Sequence, residues 1–274
     1  MHASEVAQLP VFVINLDADA ARRAEMEQTL GTLGIAWQRI AGVDGSKLSP
    51  EARAELNRRA RLRQLTPGEI GCLESHVRIW RLIAAGKHAA AVVLEDDVLL
   101  APAVVSLVQD AGWLPSDDCI VRLEASPMRV VLGPREASVD GHGLYRLRSF
   151  QYGSGAYVVT QTRARALLAA YLMRVDSADG FMFRFPKDNH VYQLLPGVCM
   201  QKVWQADHAA ARTGLTVTQL EAQRLAADRR SWFDPPAALR RLRWKIVAVG
   251  AIAWDVIRGY HYRVPDYWDN GNDV

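Results

Sequence analysis

The sequence predicts an α/β fold in which helices flank a sheet with a parallel core. Three observations carry this. Residues 11–16 (VFVINL) form a buried-type apolar run, followed by a helical apolar stripe and a second strand-like run at 35–40, the strand–helix–strand opening of a parallel sheet. Residues 89–94 (AAAVVL) read as a further strand buried on both faces. Half of the 274 residues are hydrophobic, enough for one large core or a core with an appendage.

Each element has its local reason. Asp17 or Asp19 can cap the first helix, Met26, Leu30 and Leu33 fall on one face of it, and Gly34 lies just past its end. Residues 50–63 are an Arg-rich helix or linker. Thr66, Pro67 and Glu69 then supply an N-cap, an N1 proline and a capping-box glutamate. Leu73, Val77, Trp80 and Ala84 continue at helical spacing until Gly86. Residues 120–124, 129–132 and 145–150 read as strands, with Gly141 and Gly143 as a turn before the last. Residues 157–159 form another strand leading into a helix over 162–173. A strand over 191–201 is interrupted by Pro196 and Gly197, which argues for an edge or a bend. No internal repeat is present. The chain divides into a domain over 1–230 and a C-terminal segment over 231–274 that is basic, then apolar, then aromatic.

The net charge of +3 is mild, and a nucleic-acid partner is not expected. Arg53, Arg58, Arg59, Arg61 and Arg63 form one basic cluster; Arg240, Arg241, Arg243 and Lys245 form another. Three cysteines, Cys72, Cys119 and Cys199, lack CxxC or recognised C/H spacing, which suggests neither disulfides nor zinc and fits a reducing cytoplasm. The N-terminus has no signal-peptide pattern, and no apolar run reaches membrane-spanning length. The expected location is therefore cytoplasmic. The C-terminal segment either lies in a membrane interface, cations toward anionic lipid, or packs as a helix on the domain.

Glu95, Asp96 and Asp97 follow the 89–94 strand directly. In extended backbone alternate side chains share a face, so Glu95 and Asp97 can converge on one ion while Asp96 points elsewhere or caps the next turn. Hard carboxylate oxygens suit Mn²⁺ or Mg²⁺, and the carboxyl end of a central parallel strand is where open α/β sheets bind ligands. A Walker B strand would look alike, but the chain contains no GxxxxGK[ST] loop. A divalent-metal phosphoesterase or nuclease remains compatible with the triplet alone.

Taken together, INLD with Arg22 and Arg23, AGVDG (41–45), PGEIGCLESH (67–76), VVLEDDV (92–98), VRLE (121–124), YGSGAYVV (152–159) and ADGFMF (178–183) resemble glycosyltransferase family 25. The motifs come in that family's order over roughly residues 10–205. The resemblance implies a GT-A-type, Rossmann-like mixed sheet flanked by helices, with a DxD-type metal motif. It also implies inverting transfer from a UDP-sugar, often UDP-galactose, to a glycan or lipid-linked glycan such as lipopolysaccharide. Asp97 and Glu95 match the metal ligands, and His208 is a third ligand. Asp96 serves the donor. Asn15, Leu16, Arg23 and Asp44 are donor-site residues, and Ser75 and His76 border the nucleotide or metal unless they are hydrogen-bonded core residues. Glu74 stands where the family more often has a neutral residue. Asp179 is the expected general base and Glu124 binds a sugar hydroxyl. The plain alternatives are a helix cap for Asp179 and a salt-bridge partner for Glu124. Tyr152 to Gly155 let backbone approach the donor sugar, or form a tight turn. Gln201 lies where related enzymes place late active-site residues.

Overall fold

In the computed structural model, which describes residues 8–186, 188–205, 261–263 and 265, a mixed sheet is covered by helices on both faces. Strand β1 (Val11–Asn15) leads into helix α1 (Ala20–Thr32) and returns through β2 (Gln38–Ala41). After α2 (Pro50–Arg59) and α3 (Pro67–Ala85) come β3 (Ala90–Glu95), β4 (Val98–Leu100) and α4 (Val104–Gln109). Then follow β5 (Ile120–Arg122), β6 (Glu124–Ala125), β7 (Val130–Val139), β8 (His142–Leu147) and β9 (Ala156–Thr160). Helices α5 (Gln161–Met173) and α6 (Ala178–Phe183), then β10 (Val191–Leu195), β11 (Cys199–Gln201) and β12 (His261–Arg263), complete the described elements.

The main sheet runs β12-β7-β8-β10-β5-β9-β3-β1-β2, and a small one runs β4-β11-β6. The predicted parallel opening is present: β1 is parallel to both β2 and β3. Parallel order stops at β9, which lies antiparallel between β3 and β5. Side chains alternate between two cores, as the period of 2 requires. Ala91 and Val93 of β3 face α3, α5 and α6 with Leu73, Trp80, Leu167 and Phe181. Ala90, Val92 and Leu94 face α1 and α4 with Met26, Leu30, Val104 and Leu107.

Helix α3 starts where the sequence places it. Thr66 Oγ1 accepts from the Glu69 amide and Glu69 accepts from the Thr66 amide, closing the capping box. Two glycines let this helix dock tightly: a Cβ on Gly71 would stand 2.3 Å from the Val43 carbonyl oxygen, and one on Gly45 1.8 Å from that of Pro67.

Two local expectations are corrected and a third is narrowed. The β7–β8 turn is Asp140–Gly141, both at positive φ, and Gly143 lies inside β8, because the Asp-Gly pair satisfies the hairpin geometry by itself. Strand β7 extends to Val139 past Pro134, with pairing irregularities between Leu132 and Ala137 that accommodate the missing amide donor. Pro196 and Gly197 mark a bend rather than an edge, since β10 pairs on both sides, with β5 and β8. Among the described residues no helix is long and apolar enough to cross a membrane. The basic cluster at Arg240–Lys245 lies outside the described residues. Of the C-terminal segment, residues 261–263 pair antiparallel with β7.

Candidate active site

The acidic triplet sits where β3 ends. Parallel pairing of β1 with β3 matches Ile14 to Glu95, so the next residues along each strand, Asn15 and Asp96, emerge side by side at the carboxyl edge of the sheet. Asn15 Nδ2 donates to Asp96 Oδ2 (2.6 Å) and to the Asp19 carbonyl (3.0 Å), while its Oδ1 accepts from Arg39 Nε (2.9 Å). Arg22 Nη1 reaches Asp96 Oδ1 at 3.3 Å. Asp96 is thus turned toward β1 and α1.

Glu95 turns the other way, toward α3. Its Oε1 accepts from Ser154 Oγ (2.6 Å) and His76 Nε2 (3.1 Å), and its Oε2 accepts from Gln201 Nε2 (3.3 Å). Gln201 is held in that sense by Trp204, whose Nε1 donates to Gln201 Oε1 at 2.9 Å. Behind His76, its Nδ1 lies 2.9 Å from Tyr157 Oη, which also accepts from Trp80 Nε1 at 2.9 Å. An indole N–H only donates, so the Tyr157 proton is free to go to His76 Nδ1. The Nε2–H then points at the Glu95 carboxylate, and a chain of buried hydrogen bonds orients it. Burial works to raise the Glu95 carboxyl, but the hydrogen bonds from His76 and the Ser154 hydroxyl outweigh it and hold it low.

Asp97 is different. Burial first, and the Glu95 charge second, push it up to about 6, with Arg22 opposing. Its Oδ1 is buried and accepts no hydrogen bond among the described residues. A buried carboxylate oxygen left without a donor beside a second carboxylate is short of positive charge. Those are the terms on which an oxygen-preferring divalent cation binds.

Glu95 lines a cavity of about 180 Å³ together with Cys72, Gly153, Ser154, Asp179 and Gln201 among others. Asp179 enters it from the first turn of α6, which Ser177 caps. Asp179 Oδ2 accepts from the Gly153 amide at 3.3 Å and Oδ1 from the Gly180 amide at 2.7 Å.

Glu124 stands behind this cavity rather than on its wall. It is fully buried, accepts from the Gly155 amide at 3.1 Å and lies 3.5 Å from Arg122 Nη2. Burial pushes its carboxyl up to about 7, against the pull of Arg122. Arg122 in turn donates to the Tyr152 carbonyl at 2.8 Å. The pair therefore clamps the 152–155 loop from both ends. Gly153 adopts φ +88°, and a Cβ there would lie 2.7 Å from Glu124 Oε1, so the loop requires glycine at that point.

Of the remaining predicted residues, Ser75 and Asp44 have structural partners. Ser75 Oγ accepts from the Val43 amide at 2.8 Å and donates to the Gly71 carbonyl at 2.7 Å, tying the AGVDG loop to α3. Asp44 caps the short 3-10 turn Gly45–Lys47 through Ser46. Leu16 is half-buried beside Gly42, and Arg23 is exposed on α1. His208 lies outside the described residues. Sequence reasoning missed Cys72, Trp204, Tyr157 and Arg39. Cys72 was findable, since it lies one helical turn before His76; Trp204 stands three residues after Gln201.

Comparison with known proteins identifies the family. The model of "Glycosyltransferase family 25 (LPS biosynthesis protein)" matches residues 8–182. The chain is 28% identical over 239 residues to the lacto-N-neotetraose biosynthesis glycosyltransferase LgtB of Neisseria gonorrhoeae, covering 82% of this chain and 85% of that protein. It is 27% identical over 208 residues to LgtE of the same organism, covering 71% and 74%. A glycosyltransferase 25 family member of Drosophila melanogaster is 34% identical over 100 residues, which is 34% of this chain and 16% of that one. Every element that shapes the acidic turn and its cavity up to Asp179 falls within the matched region, and the chain belongs to glycosyltransferase family 25.

Proposed function

We propose that this glycosyltransferase moves a hexose, galactose by family resemblance, from a UDP-sugar to a hydroxyl of a lipopolysaccharide or lipooligosaccharide glycan, with inversion. The observation that carries the reading is the pairing of Glu95 with Asp97, whose buried Oδ1 accepts no hydrogen bond among the described residues, beside a cavity that Asp179 also lines. Glu95 and Asp97 would hold Mn²⁺ or Mg²⁺, with His208 as a third ligand. A bound divalent ion supplies neutralisation of the departing diphosphate.

The chain's own residues do the rest. Arg22, half-exposed beside Asp96, presents a cation at the carboxyl edge of β1 and β3, where the nucleotide is expected with Asn15, Leu16, Arg23 and Asp44 around it. The cavity is smaller than the roughly 300–1,000 Å³ of sites that enclose a whole drug-sized ligand, so it suits the sugar ring while the nucleotide lies along that edge. Asp179 accepts the proton of the attacking hydroxyl, its carboxylate held by the Gly153 and Gly180 amides. Glu124 positions the 152–155 loop rather than touching the sugar. The acceptor on this reading is a lipid-linked glycan, with the segment over 231–274 as a peripheral contact at the cytoplasmic face of the inner membrane, a reading supported by the basic, apolar and aromatic composition of that segment.

Asp97→Ala tests the assignment. The variant should keep its fold by circular dichroism but lose metal-dependent release of UDP from UDP-galactose and the thermal shift given by UDP with Mn²⁺. A folded Asp97→Ala protein with unchanged donor binding and turnover would overturn it.

A further inference from the structure

We propose that Cys72, His76 and Glu95 form a binding site for a thiophilic divalent ion, Zn²⁺, on the α3 wall of the cavity. Cys72 and His76 stand at i and i+4 on α3 and so share a face, and Glu95 meets them from the end of β3. One ligand atom from each lies within 4.8 Å of the other two. His76 Nε2 and Glu95 Oε1 are 3.1 Å apart, and Cys72 Sγ is 4.0 Å from the same oxygen. A tetrahedral ion with bonds of about 2.0–2.3 Å separates its ligand atoms by roughly 3.3–3.7 Å, so the two pairs with Glu95 need adjustments of a few tenths of an ångström and the Cys72–His76 pair roughly 1 Å at most.

The surroundings suit the ion. Three protein ligands leave one position, and the cavity lined by Cys72 and Glu95 provides both an entry path and room for a water there. Tyr157 Oη, fixed by Trp80, is the outer partner that a metal-bound imidazole needs. On binding, the Cys72 thiol proton is released to solvent. The imidazole proton moves from Nε2 to Nδ1 and is donated from there in a hydrogen bond to Tyr157 Oη, whose own hydroxyl proton rotates off the ring nitrogen. A thiolate and an imidazole select zinc over magnesium or manganese, which separates this site from the thiolate-free, carboxylate-based one proposed at Asp97. The two would share Glu95; the binding itself does not depend on the proposed sugar transfer.

The test is a Co²⁺ titration of the full chain, stripped of metal, followed by absorption. A thiolate-to-cobalt charge-transfer band with tetrahedral visible bands should appear at one equivalent and vanish on adding one equivalent of Zn²⁺. Cys72→Ser should abolish the band while retaining the wild-type circular dichroism, and His76→Gln should weaken Zn²⁺ affinity at least tenfold. Cys119→Ser and Asp97→Asn should keep the band, so loss of turnover in Asp97→Asn is read separately. Absence of the band in the wild type, or its persistence in folded Cys72→Ser, would overturn the site.

Discussion

At the scale of single residues, the site places its carboxylates in distinct environments. Asp96 is spent on Asn15 and Arg22, Glu95 is held ionised by His76 and Ser154, and Asp97 is left short of partners. Asp179 is the one on which proton transfer is expected to depend. Asp179→Asn should lower kcat by roughly 10²–10⁴-fold while leaving donor affinity, measured by calorimetry, near the wild-type value. Equal losses in both would instead mark it as a loop anchor for Gly153.

Glu124 predicts a pH dependence of stability. Its carboxyl is raised from 4.5 to about 7. Between those values the native state keeps a proton that the unfolded chain has released, so stability falls as the pH climbs through that window and levels off above it. The loss is on the order of 3 kcal/mol. In Glu124→Gln the step should be absent from a plot of Tm against pH between 4.5 and 8, with the two proteins alike at the acid end. A step of the same size in the variant would assign it to another group.

The acidic triplet, Asp179 and Gln201 were legible in the sequence because each lies in a short motif with its own spacing. The clamp of Glu124 on Gly155 and the Trp80–Tyr157–His76 relay were not. Their partners stand 31 to 81 residues apart, and only the sheet brings them together.

At the scale of the element, α3 organises the site. Its first turn borders the cavity, its middle carries Cys72, Ser75 and His76, and its glycines receive the 41–45 loop. Gly68 and Gly71 make a sharp contrast. A methyl at position 68 meets nothing within 4 Å, whereas at position 71 it meets backbone on all sides at 2.3–3.2 Å. Gly68→Ala should therefore be neutral or stabilising by up to about 1 kcal/mol through helix propensity. Gly71→Ala should cost roughly 3 kcal/mol by overpacking, a Tm lower by about 6–12 °C in a melt. Equal effects at the two positions would refute the docking account. Capping box, proline and apolar stripe made this helix readable residue by residue. The β7–β8 hairpin was less so, because both glycines near the turn were read into it, although the Asp140–Gly141 pair alone meets the hairpin geometry.

At the scale of the whole molecule, local patterns foretold the parallel β2-β1-β3 opening and the layered packing, since β1 and β2 are each followed by helices before the next strand. The antiparallel place of β9 between β3 and β5 had no local signal. Apolar runs of this kind look the same in either direction, and direction is set by which long-range partner is free.

One pairing has a practical consequence. Residues 261–263 lie against Val130–Leu132, the fully buried part of β7. A chain cut after residue 230, at the boundary that composition suggests, would uncover that stretch as an unprotected sheet edge, apolar and ready to recruit a strand from another molecule. Such a fragment should elute from size exclusion as soluble aggregates by light scattering, while the full chain does not. A monodisperse, cooperatively melting fragment would show that β7 does not need the cover.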